Sequence, residues 1–219
     1  MKLLLTAFDP FGGEPVNPAQ EAVRLVRAPA GMTLIKCTVP TVYGRSIETV
    51  SAVMDAQQPD IVLCIGQAAG RKALTPESRA VNVCEASCPD NDGKILHGVP
   101  VIPGAPEEYF STLPYDAMAA AICAVGLPAE VSGSAGTFVC NHLLFGVLHK
   151  CAEEHRLHPD NKPVRAGFLH VPCIPEQLAR MPAGTFALPT EEIARGITAA
   201  LTALLKITAV SGVFLSDAY

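Results

Sequence analysis

The chain has 219 residues, 49% of them hydrophobic and 17% charged, with a formal net charge of −5. That length fits one large α/β domain or two small ones, and it can bury a core without disulfide support. The 16 basic residues form no run, which argues against nucleic acid or an anionic membrane surface as a partner.

The first residues, MKLLLTAFDPFGG, carry one Lys and a short apolar run. The run is too short for a signal peptide, and Asp9-Pro10 cuts it off with no small-residue cleavage site behind it. It predicts a buried strand over 2–8. No stretch approaches the roughly 18 apolar residues of a membrane span, so a cytoplasmic location is expected. NPAQEAVRLVR then predicts a helix, with Asn17 as cap and Pro18 just inside the start. A strand follows over 33–39. GRSIETVSAVMDAQQ places Ile47, Val50 and Met54 on one helical face. Further strands are expected over 60–66, 129–134 and 164–171, several of them apolar on both faces as parallel strands under helices must be. YDAMAAAICAVG reads as a helix ending at Gly126, and PTEEIARGITAALTALLK as a helix capped by Thr190. Residues 87–114 form a Pro/Gly-rich excursion, read as a hairpin with long loops in which DNDG supplies the turn. The alternation implies an α/β domain with helices on both faces of a mainly parallel sheet. No repeat, low-complexity tract or domain boundary interrupts it, so one domain over 1–219 is expected.

Eight cysteines, at 37, 64, 84, 88, 123, 140, 151 and 173, occur without a CxxC pair. In a long chain from a reducing compartment most are expected to be small buried hydrophobes. Cys140 differs. GTFV before it reads as extended, and the apolar residues 143, 144, 147, 148 and 151 after it have helical spacing. A cysteine at a helix N-terminus meets unpaired N–H groups and the positive end of the dipole, which stabilise a thiolate and can cradle an oxyanion. Position alone leaves nucleophile and core residue evenly matched.

A nucleophilic thiol needs a base. His142 points along another side of the helix, and His97, His149, His155 and His158 read as loop or solvated residues. His170 ends the apolar strand 164–171, where ligands of open α/β sheets sit; a buried structural imidazole is the competing reading. Glu77 enters the apolar run AVNV and is the candidate to orient that imidazole. Asp9 is the competitor, better explained by the turn DPFGG. Phe8 and Phe11, at the first strand's carboxyl end, would line an apolar pocket as exposed aromatics. FDPFGGEP lacks phosphate-loop spacing, and the loosely spaced Cys and His residues make no metal site.

Five blocks in order, LLTAFDPFGGEPVNPAQEAV, GQAAGRKALTPESRAVNV, PEEYFSTLP, SAGTFVCNHLLFG and GFLHVPCIPEQ, resemble the pyroglutamyl peptidase I (pyrrolidone-carboxylate peptidase) family of cysteine peptidases. The resemblance implies a single-domain three-layer α/β/α sandwich with a mainly parallel, partly mixed sheet. It implies removal of the N-terminal pyroglutamyl residue from peptides, no cofactor and no metal, and a homo-oligomer, a tetramer in bacterial members. The family's catalytic residues fall on Glu77, Cys140 and His170, the three ranked first from the residues themselves. Its lactam pocket falls on Phe8, Phe11, Phe138 and Val139, with the Gln67 main chain in contact and Asn17 in the loop before the first helix. The Cys140 N–H is the candidate oxyanion donor. Two departures stand out: Ala69 where GQAGG is usual, and Ser87-Cys88 where an Arg-Ile pair is common. They motivate an alternative, a lactam-binding protein with reduced activity. A nucleoside phosphorylase-like enzyme rests on fold analogy alone.

Overall fold

The structure is a computed structural model and describes residues 1–211. Five strands form the main sheet: β1 (Lys2–Phe8), β2 (Thr33–Val39), β3 (Ile61–Gln67), β4 (Thr75–Glu77) and β7 (Arg165–Val171), in the order β2-β1-β3-β7-β4. All neighbours run parallel except β4, which is antiparallel to β7 at the edge. The helices are α1 (Pro18–Leu25), α2 (Arg45–Gln57), α3 (Tyr115–Ala124), α4 (Val139–Leu157) and α5 (Thr190–Ser211).

Alternate side chains of each strand feed two separate cores. Leu3, Leu5, Ile61, Leu63, Ile65 and Leu169 pack with α1, α3 and α5. Leu4, Phe8, Val62, Cys64 and Phe168 pack with Val50 and Met54 of α2 and with α4. This is the three-layer α/β/α sandwich, and it explains why β1 and β3 read as unbroken apolar runs. Both faces are covered, and each such side chain contributes about 1.5–3 kcal/mol on burial. Because β1 is followed by a connection to β2 on one side and β3 lies on the other, the strand order reverses between β1 and β3. A crevice opens at the carboxyl ends of strands flanking such a reversal.

The local signals act as their chemistry requires. Asn17 Oδ1 accepts from the Ala19 N–H at 3.0 Å and caps α1, with Pro18 in its first turn. Gly126, at φ 80°, follows α3. The α5 helix begins at Thr190 itself, where the carbonyl of Pro189 accepts from the Glu192 and Ile193 N–H groups. In the excursion, β5 (Arg79–Val81) pairs antiparallel with β6 (Glu108–Phe110), and the Asp90–Gly93 turn closes through a 3.0 Å bond from the Gly93 N–H to the Asp90 carbonyl. The strand expected over 129–134 does not form. Only single-residue bridges, Leu74 to Ala129 and Glu77 to Ser132, join that segment to β4 and the residue before it. It is half-exposed and polar, with Pro128 before it and Gly133 within it, so no apolar face holds it flat.

Candidate active site

Four chain segments meet on the α4 side of the sheet, where β3 and β7 end and β4 begins. Along β7, Phe168 and His170 point to the same face, because side chains alternate with period two. Across the ladder, Gly66 of β3 is the partner of His170, and Glu77 of β4 is the partner of Phe168. Glu77 is therefore the diagonal neighbour of His170 on that face. Cys140 lies in the first turn of α4, and its sulfur settles over the glycine. A Cβ built on Gly66 would stand 2.9 Å from Cys140 Sγ and 2.7 Å from Phe168 Cζ. The missing side chain at Gly66, the ladder partner of His170, is the space that the thiol occupies.

His170 is 4% exposed, and its Nδ1 lies 2.7 Å from Glu77 Oε1. Phe168 supports the imidazole from one side, with ring centroids 4.7 Å apart. Glu77 is wholly buried and also accepts from Arg71 Nη2 at 3.0 Å. No hydrogen bond joins Cys140 Sγ to the imidazole in this structure. The surroundings of Cys140 oppose the lowering expected from its place at a helix start. Burial pushes this thiol up to about 12, and the negative charge of Glu77 and the neighbouring Cys64 add to the rise. The sulfur lies between α4 and the sheet, where desolvation disfavours a thiolate. No side chain caps the N-terminus of α4, in contrast to Asn17 at α1.

The remaining sequence-derived residues surround this centre in different ways. Phe11 and Phe138 are half-buried, with centroids 6.3 Å apart. Phe8, expected to be exposed, is 2% exposed and packs on Phe168 at 6.4 Å. It belongs to the core behind the crevice. Val139 is likewise fully buried. Asn17 is fully buried, and both ends of its amide are committed: Oδ1 to the Ala19 N–H, and Nδ2 to the Asp9 carbonyl at 3.0 Å. It shapes the loop that carries Phe11. Asp9 is a turn anchor, accepting from the Thr41 N–H and hydroxyl at 2.7 and 2.8 Å. The Gln67 side chain pairs with Gln177 at 3.0 Å, which leaves its main chain as the part able to meet a ligand.

Of the two departures, Ala69 is exposed and avoids the left-handed region, so its methyl introduces no strain. Cys88 and Cys123 are exposed free thiols rather than core filler, whereas Cys64, Cys84, Cys151 and Cys173 are buried as expected. His149 is half-buried rather than solvated, with Nδ1 2.9 Å from the Tyr109 hydroxyl. Among the described residues, no group of three or more His, Cys, Asp or Glu side chains is placed to hold a metal ion, and no helix is long and apolar enough to cross a membrane.

Two residues beside the site were not anticipated. Arg71 carries no motif, and an arginine in a glycine-containing loop looks solvated; its position six residues before Glu77 was the available signal. Tyr43 stacks edge-on against Phe138 at 5.7 Å and against His142 at 5.2 Å. Its hydroxyl is buried without a hydrogen-bond partner. Nothing local in PTVYG marks it.

The family model described as pyroglutamyl peptidase matches residues 1–207. The pyrrolidone-carboxylate peptidase of Levilactobacillus brevis is 46% identical, over 94% of this chain and 98% of its own. That of Aliivibrio fischeri is 45% identical, over 93% and 92%. Among solved structures, pyroglutamyl peptidase I from Bacillus amyloliquefaciens superposes with a TM-score of 0.85 at 39% identity, covering 94% of this chain and 97% of the other. A mutant pyrrolidone carboxyl peptidase from Pyrococcus furiosus gives 0.85 at 33% identity, covering 94% and 99%.

Proposed function

The chain belongs to the pyroglutamyl peptidase family, and on that premise we propose that Cys140, His170 and Glu77 carry its chemistry. The protein is a cysteine-type hydrolase that removes the N-terminal pyroglutamyl residue from peptides. The observation that supports the assignment of residues is the 2.7 Å contact between His170 Nδ1 and the buried Glu77, with the Cys140 sulfur seated over Gly66, the ladder partner of His170.

An ionised Glu77 is an acceptor only, so Nδ1 of His170 carries the hydrogen and Nε2 presents a lone pair. The thiol proton passes to Nε2 as the sulfur attacks the pyroglutamyl carbonyl. The N–H of Cys140, in the uncapped first turn of α4, receives the developing oxyanion. Collapse of the tetrahedral intermediate breaks the C–N bond. The imidazolium gives its proton to the leaving amine, and a thioester remains on Cys140. His170 then activates water, which releases pyroglutamate and restores the thiol.

Phe11 and Phe138 form the walls of an apolar slot for the flat lactam. Phe8 and Val139 support them from the core, and the Gln67 main chain makes the polar contact. A free α-ammonium placed there would be desolvated without a partner, so unmodified N-termini are rejected. The peptidase domain is proposed to span 1–219. Resemblance to the family supports a homo-oligomer, a tetramer, in the cytoplasm, and sedimentation tests the former.

Incubation with pyroglutamyl-aminocoumarin tests the activity. Wild type releases the fluorophore, and Cys140→Ser keeps the fold but loses nearly all turnover. A Cys140→Ser variant that retains most activity would remove Cys140 from the mechanism. Calorimetric binding of pyroglutamate by a wild type that turns nothing over would convert the enzyme into a binding protein.

A further inference from the structure

The Glu77 carboxylate is in an unusual position for a group that must stay ionised. It is wholly buried, and its Oε1 receives both His170 Nδ1 at 2.7 Å and Arg71 Nη2 at 3.0 Å. Its Oε2 is buried with no hydrogen-bond partner. An interior carboxylate with an unsatisfied oxygen relieves its desolvation by taking up a proton. The groups that face it are Arg71 from the loop between β3 and β4, His170 from β7, and the Cys140 thiol from α4. Arg71 is the only permanent cation among these three. The same Nη2 atom also donates to the Ser134 carbonyl at 2.9 Å, in the segment that leads into Phe138 and Cys140. One guanidinium nitrogen thus ties the acid–base pair to the stretch that carries the nucleophile.

We propose that Arg71 is a positioning residue: its guanidinium keeps Glu77 an acceptor and thereby fixes the His170 tautomer that can take the thiol proton. The inference rests on the catalytic reading above. Were Glu77 protonated, its O–H would donate to Nδ1, and the imidazole hydrogen would move to Nε2. The ring would then face Cys140 with an N–H and no lone pair, and attack would have no base. Arg71 acts on the reaction through Glu77 and touches neither sulfur nor substrate.

Three measurements test this. In Arg71→Met, kcat/KM at neutral pH falls about 10- to 100-fold, and the acid limb of its pH profile moves up by about one pH unit or more, so that activity recovers at alkaline pH. In Arg71→Lys, which keeps the charge but not the forked geometry, the limb stays near its wild-type position while kcat/KM drops only a few-fold. A limb that is unmoved in Arg71→Met, or displaced equally in both variants, overturns the proposal. The third measurement is spectroscopic. Nitrogen-15 shifts of His170 in the wild type should show Nδ1 protonated throughout the active pH range, and a proton resident on Nε2 there refutes it. Wild type that fails to cleave pyroglutamyl-aminocoumarin sinks the functional reading instead, and the nitrogen shifts of wild type beside Arg71→Met still report whether Arg71 fixes the tautomer.

Discussion

Gly66→Ala is the sharpest probe of the nucleophile's seat. The added methyl would stand 2.9 Å from Cys140 Sγ, 2.7 Å from Phe168 Cζ and 3.0 Å from Phe168 Cε1. Favourable carbon contacts begin at about 3.5 Å, so the sulfur or the ring must retreat by roughly 0.6–0.8 Å, taking that spacing as the standard. Neither has slack. Phe168 is 1% exposed and stacks on His170, and Cys140 is held by a helix whose next turns are fully buried. Overpacking of this kind costs about 1–3 kcal/mol, offset by about 0.5–1 kcal/mol because alanine suits a strand better than glycine. The fold therefore survives with a modest loss. Catalysis does not fare as well, because a displacement near 1 Å at the reacting atom is worth about 100-fold in rate. The assay is kcat/KM on pyroglutamyl-aminocoumarin beside a thermal melt. A variant that keeps wild-type kcat/KM would show that the sulfur does not react from its place over Gly66.

Three other outcomes are expected. Glu77→Gln should fold and lose up to about 10⁴-fold in kcat, the scale seen when an orienting carboxylate becomes an amide; near-normal turnover would show that the imidazole does not need it. His142, whose Nε2 accepts from the Gly44 N–H at 2.9 Å, is held by burial at a pKa of about 4 against an ordinary 6.5. The unfolded chain binds this proton more readily. Stability is therefore fully present above 6.5 and falls between 6.5 and about 4, by about 3 kcal/mol. Melts from pH 7 to pH 4 should fall more steeply for wild type than for His142→Gln, and equal slopes would exclude this residue. Gly146→Ala would place a methyl 2.3 Å from Ile47 Cδ1 and 2.5 Å from its Cγ1, lowering stability by about 1–3 kcal/mol through the α2–α4 contact; an unchanged melt would mean that Ile47 swings aside freely.

The parts legible in the sequence were those with a local cause. Doubly covered strands announce themselves as apolar runs, Asn17-Pro18 as a helix start, and Gly126 as a helix end. The candidate triad could be ranked because Cys140 and His170 each sit at a boundary of an apolar element. What was missed is set by distant chain. The three residues of β4, Thr-Pro-Glu, have no room for a periodicity, and β7 alone makes them a strand. Arg71 is explained by Ser134, 63 residues away, as much as by Glu77. The depth of Phe8 depends on Phe168. The direction of the Cys140 shift depends on how tightly α4 closes over Cys64 and Glu77, and a helix-start signal in sequence carries no information about that closure.

That last shift governs how the enzyme is armed. Burial raises the Cys140 thiol, which favours a neutral thiol–imidazole pair over a preformed thiolate–imidazolium pair at rest. On that reading proton transfer to His170 and sulfur attack occur together, once substrate displaces water and the negative charge has an acceptor to flow into. The arrangement explains why α4 begins without a side-chain cap. Its first N–H groups are of little use to a neutral thiol and of full use to an oxyanion one bond further along the reaction. Ultraviolet difference spectroscopy decides the point. Wild type minus Cys140→Ser at neutral pH should show no thiolate absorbance without substrate, with the band emerging only as the solution becomes strongly alkaline. A band of full thiolate intensity at neutral pH would mean that the helix dipole and His170 outweigh burial, and the coupled step would have to be replaced by attack from a resident ion pair.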